Sequence, residues 1–329
     1  MDIGQFLDEW HNDSPTVLVH TSGSTGQPKP MLVEKRRMEA SARITCQFLG
    51  LKAGDTALLC LPLDYIAGKM MVVRALTCGL RLLSVPSSGH PLASGSQPLP
   101  PHLAFAAMVP MQVWNSLQVP EERERLRQIR HLIIGGGAIG TPLAAELADF
   151  PNAVWSTYGM TETLSHIALR RLNGPSRSDW YTPFAGVSLS LSGDDCLVIN
   201  APAVHDGPLV TNDIAELRAD GFRILGRKDN VICSGGIKIQ TEEVERLLQP
   251  HLRVPFMITH VPDVRLGQQV VLLVVGGEVA DIEAVCRRVL PKYWVPRRTL
   301  PVDRLPLTAT GKPARAEAAQ LAKSALHLA

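Results

Sequence analysis

The sequence predicts an α/β protein: a large N-terminal α/β domain with a small β-rich part, followed by a smaller C-terminal α+β domain. Three observations carry that reading. Short β-branched runs alternate with helical periodicity through the first two thirds of the chain, as parallel sheets require. The runs between 187 and 225 then shorten and carry turn signals, the texture of a small antiparallel β region. After Gly226-Arg227-Lys228-Asp229 a helix–strand–strand–helix pattern of about 100 residues follows.

In chain order, Thr16–His20 reads as a strand and 36–49 as a helix with Met38, Ala42 and Cys46 on one face. A strand over 56–61, a helix over 67–78 and a strand over 80–85 follow. Residues 84–101 are a Pro/Ser/Gly-rich loop. A strand at His131–Ile134 feeds a glycine cluster and a helix over 142–149. In the last third, a helix over 242–249 precedes strands at 256–261 and 270–275 and a helix over 281–290.

Composition agrees with an enzyme of this class. The chain has 329 residues, 45% hydrophobic and 19% charged, enough for roughly two domains of 100–200 residues. With 33 Lys and Arg against 31 Asp and Glu, the net charge of +2 argues against a nucleic-acid or membrane-surface partner. The six cysteines form no C-x-x-C pair, the opening residues form no secretory leader, and no stretch approaches a membrane span of about 20 apolar residues. These features predict a cytoplasmic protein.

The strongest local signal is Thr21-Ser22-Gly23-Ser24-Thr25-Gly26-Gln27-Pro28-Lys29. Glycines let backbone N–H groups approach phosphate oxygens, hydroxyls donate to them, and Lys29 neutralises charge. The spacing is not that of a Walker A loop, since Gly26 stands three positions before the lysine and Pro30 follows it. The bland alternative is a surface Ser/Gly turn.

This loop resembles the T-S-G-S-T-G-x-P-K loop of the adenylate-forming superfamily: acyl-CoA synthetases, luciferases and peptide-synthetase adenylation domains. Further stretches match in order. Tyr158-Gly159-Met160-Thr161-Glu162 resembles Y-G-x-T-E, which implies Tyr158 and Gly159 at adenine, Thr161 at the α-phosphate and Glu162 on Mg²⁺. Thr211-Asn212-Asp213 resembles T-G-D, with Asp213 at the ribose and Asn212 in place of the glycine. Gly226-Arg227-Lys228-Asp229 resembles G-R-x-D, which implies Arg227 at the ribose and Asp229 as a hinge within 227–230. Thr310-Gly311-Lys312 resembles the T-G-K that carries a mobile catalytic lysine. The resemblance therefore implies an AMP-binding domain over 1–226 and a mobile lid over 227–329.

Gly135-Gly136-Gly137-Ala138-Ile139-Gly140 also satisfies the G-x-G-x-x-G fingerprint of a nicotinamide-dependent oxidoreductase. That fingerprint normally sits on the first strand, and Thr141-Pro142 interrupts the helix start. The resemblance supplies the preferred assignment, a G-G-A-x loop placing Gly136 and Gly137 beside adenine.

The implied chemistry has two halves. A carboxylate attacks the α-phosphate of ATP, and a thiol then displaces AMP, so catalysis is mainly positioning plus cations. Lys29 would hold the terminal phosphates and Lys312 would bridge carboxylate and α-phosphate. Ser234-Gly235-Gly236 would line the thiol channel for the pantetheine arm of CoA.

Two stretches narrow the acid. Leu61-Pro62-Leu63-Asp64-Tyr65-Ile66-Ala67-Gly68 resembles the L-P-L-F-H-x-S-G segment of o-succinylbenzoate–CoA ligases of menaquinone biosynthesis, with Asp64, Tyr65 and Ala67 departing from it. Residues 226–245 match the same subfamily at length. The implied substrate is an aromatic acid with two carboxylates, and Arg74 aligns with an arginine proposed to meet the one on the ring. Lys69 and His166 are further substrate candidates, against the plainer readings of a lysine snorkelling to solvent and a satisfied structural histidine. An adenylation enzyme for another aryl acid or a carrier-protein thiol, and a nucleotide-binding module without turnover, are the alternatives. Relatives carry on the order of 100–150 residues ahead of the loop, a full α/β layer. Either the chain is a naturally compact member of the family or it lacks an N-terminal segment; the compact form would leave a sheet face or edge to cover, which implies pairing with another subunit.

Overall fold

The computed structural model describes residues 1–20, 30–93, 99–308 and 313–327. The chain forms two compact units. The first holds Met1–Ser190, Val198–Leu209 and Leu217–Arg223; the second holds Leu191–Leu197, Val210–Glu216 and Ile224–Ala329.

The first unit opens with α1 (Ile3–His11), started by a capping box in which Gln5 N donates to Asp2 Oδ1 at 2.8 Å and Asp2 N to Gln5 Oε1 at 2.9 Å. β1 (Thr16–His20) and β2 (Pro30–Glu34) pair antiparallel, and His20↔Pro30 closes the base of the segment between them. Thr16–His20 is thus a strand as the sequence predicts, but it stands in its own two-stranded sheet, outside the parallel one. α2 (Lys35–Leu49) buries Met38, Ala42 and Cys46 and ends at Gly50, whose φ of 63° provides the left-handed cap.

Then come β3 (Thr56–Leu59), α3 (Ile66–Cys78), β4 (Arg81–Ser84), β5 (Phe105–Met108), α4 (Pro110–Leu117), α5 (Pro120–Arg127), β6 (His131–Ile134), α6 (Thr141–Leu147), β7 (Ala153–Gly159), β8 (His166–Arg171) and β9 (Thr182–Pro183). The sheet runs β4-β3-β5-β6-β7-β8-β9. The first five strands pair in parallel, and β8 and β9 continue antiparallel. All four side chains of β5 are buried, the continuous apolar run of a strand covered on both faces. Leu58, Ala106, Met108, Leu132, Ile134 and Val154 pack in one core with Val113 and Leu117 of α4.

Relabelled from β3, the parallel strands have the order 2-1-3-4-5. Such sheets bind ligands beyond the carboxyl ends of their strands. The loops after β6 and β7 leave from that edge.

Strands β10 (Ser188–Leu191), β11 (Cys196–Asn200), β12 (Leu209–Arg218) and β13 (Gly221–Arg227) form a four-stranded sheet in that order. In the second unit, β14 (Val231–Ser234) and β15 (Ile237–Gln240) make a hairpin, followed by α7 (Thr241–Leu248), β16 (Phe256–Asp263), β17 (Gly267–Val274), α8 (Val279–Val289), β18 (Arg298–Pro301) and α9 (Arg315–Ala325). β17 is central and buried on both faces. Val270, Leu272 and Val274 pack with Val244, Leu248 and Ile282, while Val271 and Leu273 pack with Ala318 and Ala322 of α9.

Candidate active site

At the carboxyl end of β7 the chain makes a tight turn into β8. The sheet register shifts between Tyr158 and Gly159, and a Cβ at Gly159 would lie 2.3 Å from Ser165 O and 2.4 Å from His166 Cα. Only glycine fits, which accounts for the second letter of Y-G-x-T-E in physical terms. Thr163 fastens the turn: its Oγ1 accepts from Met160 N at 3.0 Å and lies 2.7 Å from Ser165 O. Leu164 is buried at φ 63° and ψ −36°, a strained position for a branched side chain.

This turn presents the predicted pair Thr161 and Glu162. Thr161 is buried, whereas Glu162 is half-buried and has no salt-bridge partner among the described residues. A partly exposed carboxylate without a cation fits a Mg²⁺ ligand. Tyr158 sits in an aromatic group, 5.0 Å from the Phe222 ring edge-on and 5.8 Å from Tyr181. The loop after β6 lies alongside. A Cβ on Gly135 would come within 2.4 Å of Thr157 Oγ1, Gly136 has a φ of 79°, and Gly137 packs against Pro110. Gly135 thereby lies against Thr157, the residue before Tyr158 in β7, and Gly136 and Gly137 follow it in the loop. The strand feeding this loop is fourth in the parallel order, not first as the dinucleotide fingerprint requires.

Behind the same turn lies a buried polar group. Arg74 of α3 is 2% exposed; its Nη2 donates to Ser165 Oγ at 2.6 Å, and its guanidinium lies 6.0 Å from the Phe105 ring centroid. It has no carboxylate partner among the described residues, and its Nε is buried without any partner. Burial pushes its pKa down to about 10, so the guanidinium remains charged at neutral pH. His166 is also buried: Ser165 Oγ lies 3.1 Å from its Nδ1, and Thr45 Oγ1 lies 3.2 Å from its Nε2. Burial and the neighbouring Arg74 charge hold its pKa well below the usual range. Both ring nitrogens are engaged, the satisfied-histidine alternative. Sequence reasoning missed Ser165 and Thr45, whose residue types are too common to stand out; the one available signal was Ser165-His166 following Thr-Glu.

Lys69 behaves differently from both of its sequence readings. It is 2% exposed, so it does not snorkel. Its Nζ donates to Glu9 Oε2 and to Leu18 O, both at 3.0 Å, and it lies 5.1 Å above the Phe6 ring. That ammonium ties α1 and β1 to α3, away from Arg74's partners.

In the second unit, Arg227 joins the predicted residues of β12 and β13. Its Nη1 donates to Asp213 Oδ1 at 2.9 Å and its Nη2 to Asp229 Oδ2 at 2.7 Å. Burial opposes the Arg227 charge, but the two carboxylates outweigh it and raise its pKa. Asn212, at the position of the motif's glycine, donates to Asp229 Oδ2 at 3.3 Å, and Asp213 N donates to Thr211 Oγ1 at 3.1 Å. Ser234-Gly235-Gly236 forms the β14–β15 turn, with φ of 59° and 81° at the two glycines, as a two-residue hairpin requires. The expected sites Thr21, Ser22, Gly23, Ser24, Thr25, Gly26, Lys29 and Lys312 lie outside the described residues. Close to Lys312 in sequence, Leu307 pairs with Pro313, and Arg315 makes a two-pronged pair with Glu245 at 2.6 and 2.7 Å.

A cleft of about 360 Å³ beyond β3 and β4 is lined by Ile3, Gly4, Leu61, Leu63 and Ser84 among others, and by none of the predicted site residues.

Comparison with known proteins places the chain among AMP-binding enzymes. The AMP-binding enzyme family matches residues 5–206, and the AMP-binding enzyme C-terminal domain matches residues 243–312. A 2-succinylbenzoate–CoA ligase from Bacillus cereus is 26% identical over 345 residues, covering 95% of this chain and 72% of that protein. A solved acyl-CoA synthetase (AMP-forming)/AMP-acid ligase II-like protein from Dyadobacter fermentans is 31% identical, with a TM-score of 0.65 over 95% of this chain and 91% of that one. The O-succinylbenzoate coenzyme A synthetase of Bacillus subtilis, solved with ATP and magnesium ion, is 23% identical. It shares the fold at a TM-score of 0.73 over 91% of this chain and 69% of that one. Matched over residues 5–206, more than half of its length, the chain belongs to the AMP-binding enzyme family.

Proposed function

We propose that the chain is an AMP-forming acid–CoA ligase that activates o-succinylbenzoate and transfers it to CoA. One observation carries the choice of acid. Arg74 is a buried, charged guanidinium whose Nε has no hydrogen-bond partner and which has no carboxylate beside it among the described residues, and it sits behind the turn that presents Glu162, bonded to Ser165. Burying an unpaired charge is costly, and a ligand carboxylate would relieve it. An acid with two carboxylates needs such a partner for the one that does not react. Sequence similarity to a 2-succinylbenzoate–CoA ligase supports the same acid.

In this reading the aliphatic carboxylate attacks the α-phosphorus of ATP, the bond to the β-phosphate breaks, and pyrophosphate leaves. The thiol sulfur of CoA then attacks the acyl carbon, giving up its proton, and AMP leaves. Lys29 and the 21–26 hydroxyls and amides hold the terminal phosphates. Tyr158, Gly136 and Gly137 flank adenine. Asp213 accepts from the ribose hydroxyls, oriented by Arg227. Glu162 would hold Mg²⁺, which would neutralise phosphate charge when bound. Thr161 and Lys312 bind the α-phosphate oxygens, and Lys312 also holds the reacting carboxylate.

Residues 1–226 form the AMP-binding domain and 227–329 the lid, with Asp229 as hinge and Ser234, Gly235 and Gly236 at the thiol channel. The two family matches, ending at 206 and starting at 243, support a division between them. A cytoplasmic location and assembly as a homo-oligomer are part of the same proposal. No helix among the described residues is long and apolar enough to cross a membrane.

A panel of aryl acids with ATP and CoA tests the proposal. The expected products with o-succinylbenzoate are AMP, pyrophosphate and a CoA thioester. Turnover of a different aryl acid, with none of this one, would replace the substrate while keeping the chemistry. Asp64 and Tyr65, where the subfamily carries Phe-His, make that second outcome worth the panel.

A further inference from the structure

The polar group behind the Glu162 turn has a hydrogen-bond direction that its geometry determines. Arg74 only donates, so Ser165 Oγ accepts from Nη2 across their 2.6 Å contact. Ser165 has one hydroxyl hydrogen, and its remaining partner is His166 Nδ1 at 3.1 Å. Thr45 Oγ1 lies 3.1 Å from Ser41 O and 3.2 Å from His166 Nε2. A carbonyl only accepts, so Thr45 donates to Ser41 O and accepts from Nε2–H. With the proton on Nε2, every one of these donors has an acceptor. With it on Nδ1, the Ser165 hydroxyl hydrogen has no acceptor among the described residues, an unfavourable arrangement for a part-buried donor. The satisfied chain therefore runs from Arg74 to Ser165 to His166, and from His166 through Thr45 to Ser41. Phe184 packs edge-on at 5.4 Å from the imidazole.

We infer that His166 is a positioning residue for the substrate's second carboxylate: fixed by Thr45 as the Nε2–H tautomer, it accepts a hydrogen bond from the Ser165 hydroxyl at Nδ1, so Ser165 turns a lone pair to Arg74 and holds the guanidinium with Nε free. The inference rests on the reading that Arg74 receives that carboxylate. His166 does not touch the acid in this account. It determines which way the Ser165 hydroxyl points, and Ser165 determines which guanidinium hydrogens stay available. The imidazole is neutral, in keeping with a ring whose one proton is committed to Thr45.

Two measurements on the full chain test it. The first is ¹⁵N NMR of the His166 ring, which is expected to show a protonated Nε2 and a bare Nδ1. A protonated Nδ1 would overturn the inference whatever acid the enzyme takes. The second compares His166→Gln, which keeps a donor toward Thr45 but loses the Nδ1 acceptor, with His166→Asn, whose amide oxygen stands near the Nδ1 position. In His166→Gln the KM for o-succinylbenzoate should rise about tenfold, with kcat and the KM for ATP within about twofold, as loss of one hydrogen bond predicts. His166→Asn should restore most of that KM. For 4-oxo-4-phenylbutyrate, which lacks the ring carboxylate, neither variant should change KM.

Arg74→Lys separates the inference from the reading beneath it. If Arg74→Lys raises the KM for the diacid and His166→Gln does not, the positioning role is wrong and the Arg74 assignment stands. If Arg74→Lys leaves that KM unchanged, the Arg74 assignment is wrong.

Discussion

Gly159 is where one methyl group would undo the site. A Cβ there would lie 2.3 Å from Ser165 O, a backbone atom that cannot swing aside, and the collision would fall on the turn carrying Thr161, Glu162 and Ser165. Gly159→Ala should therefore lower stability by about 1–3 kcal/mol through overpacking and abolish pyrophosphate release. Thermal melts and an adenylation assay read the two effects. Glu162 has the opposite profile. Being half-buried and without a salt-bridge partner among the described residues, it has little structural role to lose. Glu162→Gln should keep the wild-type melting temperature yet slow adenylation on the order of a hundredfold, the size typical of losing one electrostatic stabiliser. A Glu162→Gln enzyme with full activity would remove that carboxylate from the chemistry.

Among elements, α1 has the clearest consequence. Lys69 is buried on α3, and its ammonium is held by Glu9 of α1 and Leu18 O of β1. Breaking a buried pair from one side leaves an uncompensated charge. Glu9→Gln should cost about 3 kcal/mol in urea denaturation, and adding Lys69→Met should recover much of it because no buried charge then remains. If Glu9→Gln and the double variant were equally stable, the tie would be a minor one. The sequence could not show this pair. Lys69 lies in an apolar helix and Glu9 is 60 residues away, so spacing alone offered only solvent or substrate as partners. The strands and helices with strong periodicity were legible, α2 with Met38, Ala42 and Cys46 inside being one. The β1–β2 pairing was not, because an apolar strand reads alike in a hairpin and in a parallel sheet. The motif residues were readable because their chemistry restricts them to few residue types. Ser165 and Thr45 were not, because only their three-dimensional neighbours give them a role.

For the molecule as a whole, acid lability follows from one buried and two half-buried imidazoles, those of His166, His131 and His260. Burial chiefly, with nearby arginines, depresses His131 to about 4, and burial lowers His166 and His260 as well. As pH falls below about 6.5 the unfolded chain takes up protons at these sites while the folded chain does not. The stability they contribute is thus present above about 6.5 and is lost as pH drops toward 4. Melting temperature should fall across that window, and His131→Gln should flatten part of the fall; a flat profile in the wild type would contradict it. At this scale the sequence showed the α/β class and the change of texture near Gly226 from motif order and periodicity. It did not show how the residues of 191–223 are apportioned to the two compact units, which depends on long-range packing. The first half-reaction is the most direct test. With ATP, Mg²⁺ and o-succinylbenzoate but no CoA, about one pyrophosphate per protein should be released, and the bound adenylate should convert to thioester and AMP when CoA is added. No pyrophosphate release with this or any other carboxylic acid, from protein that binds ATP, would contradict it.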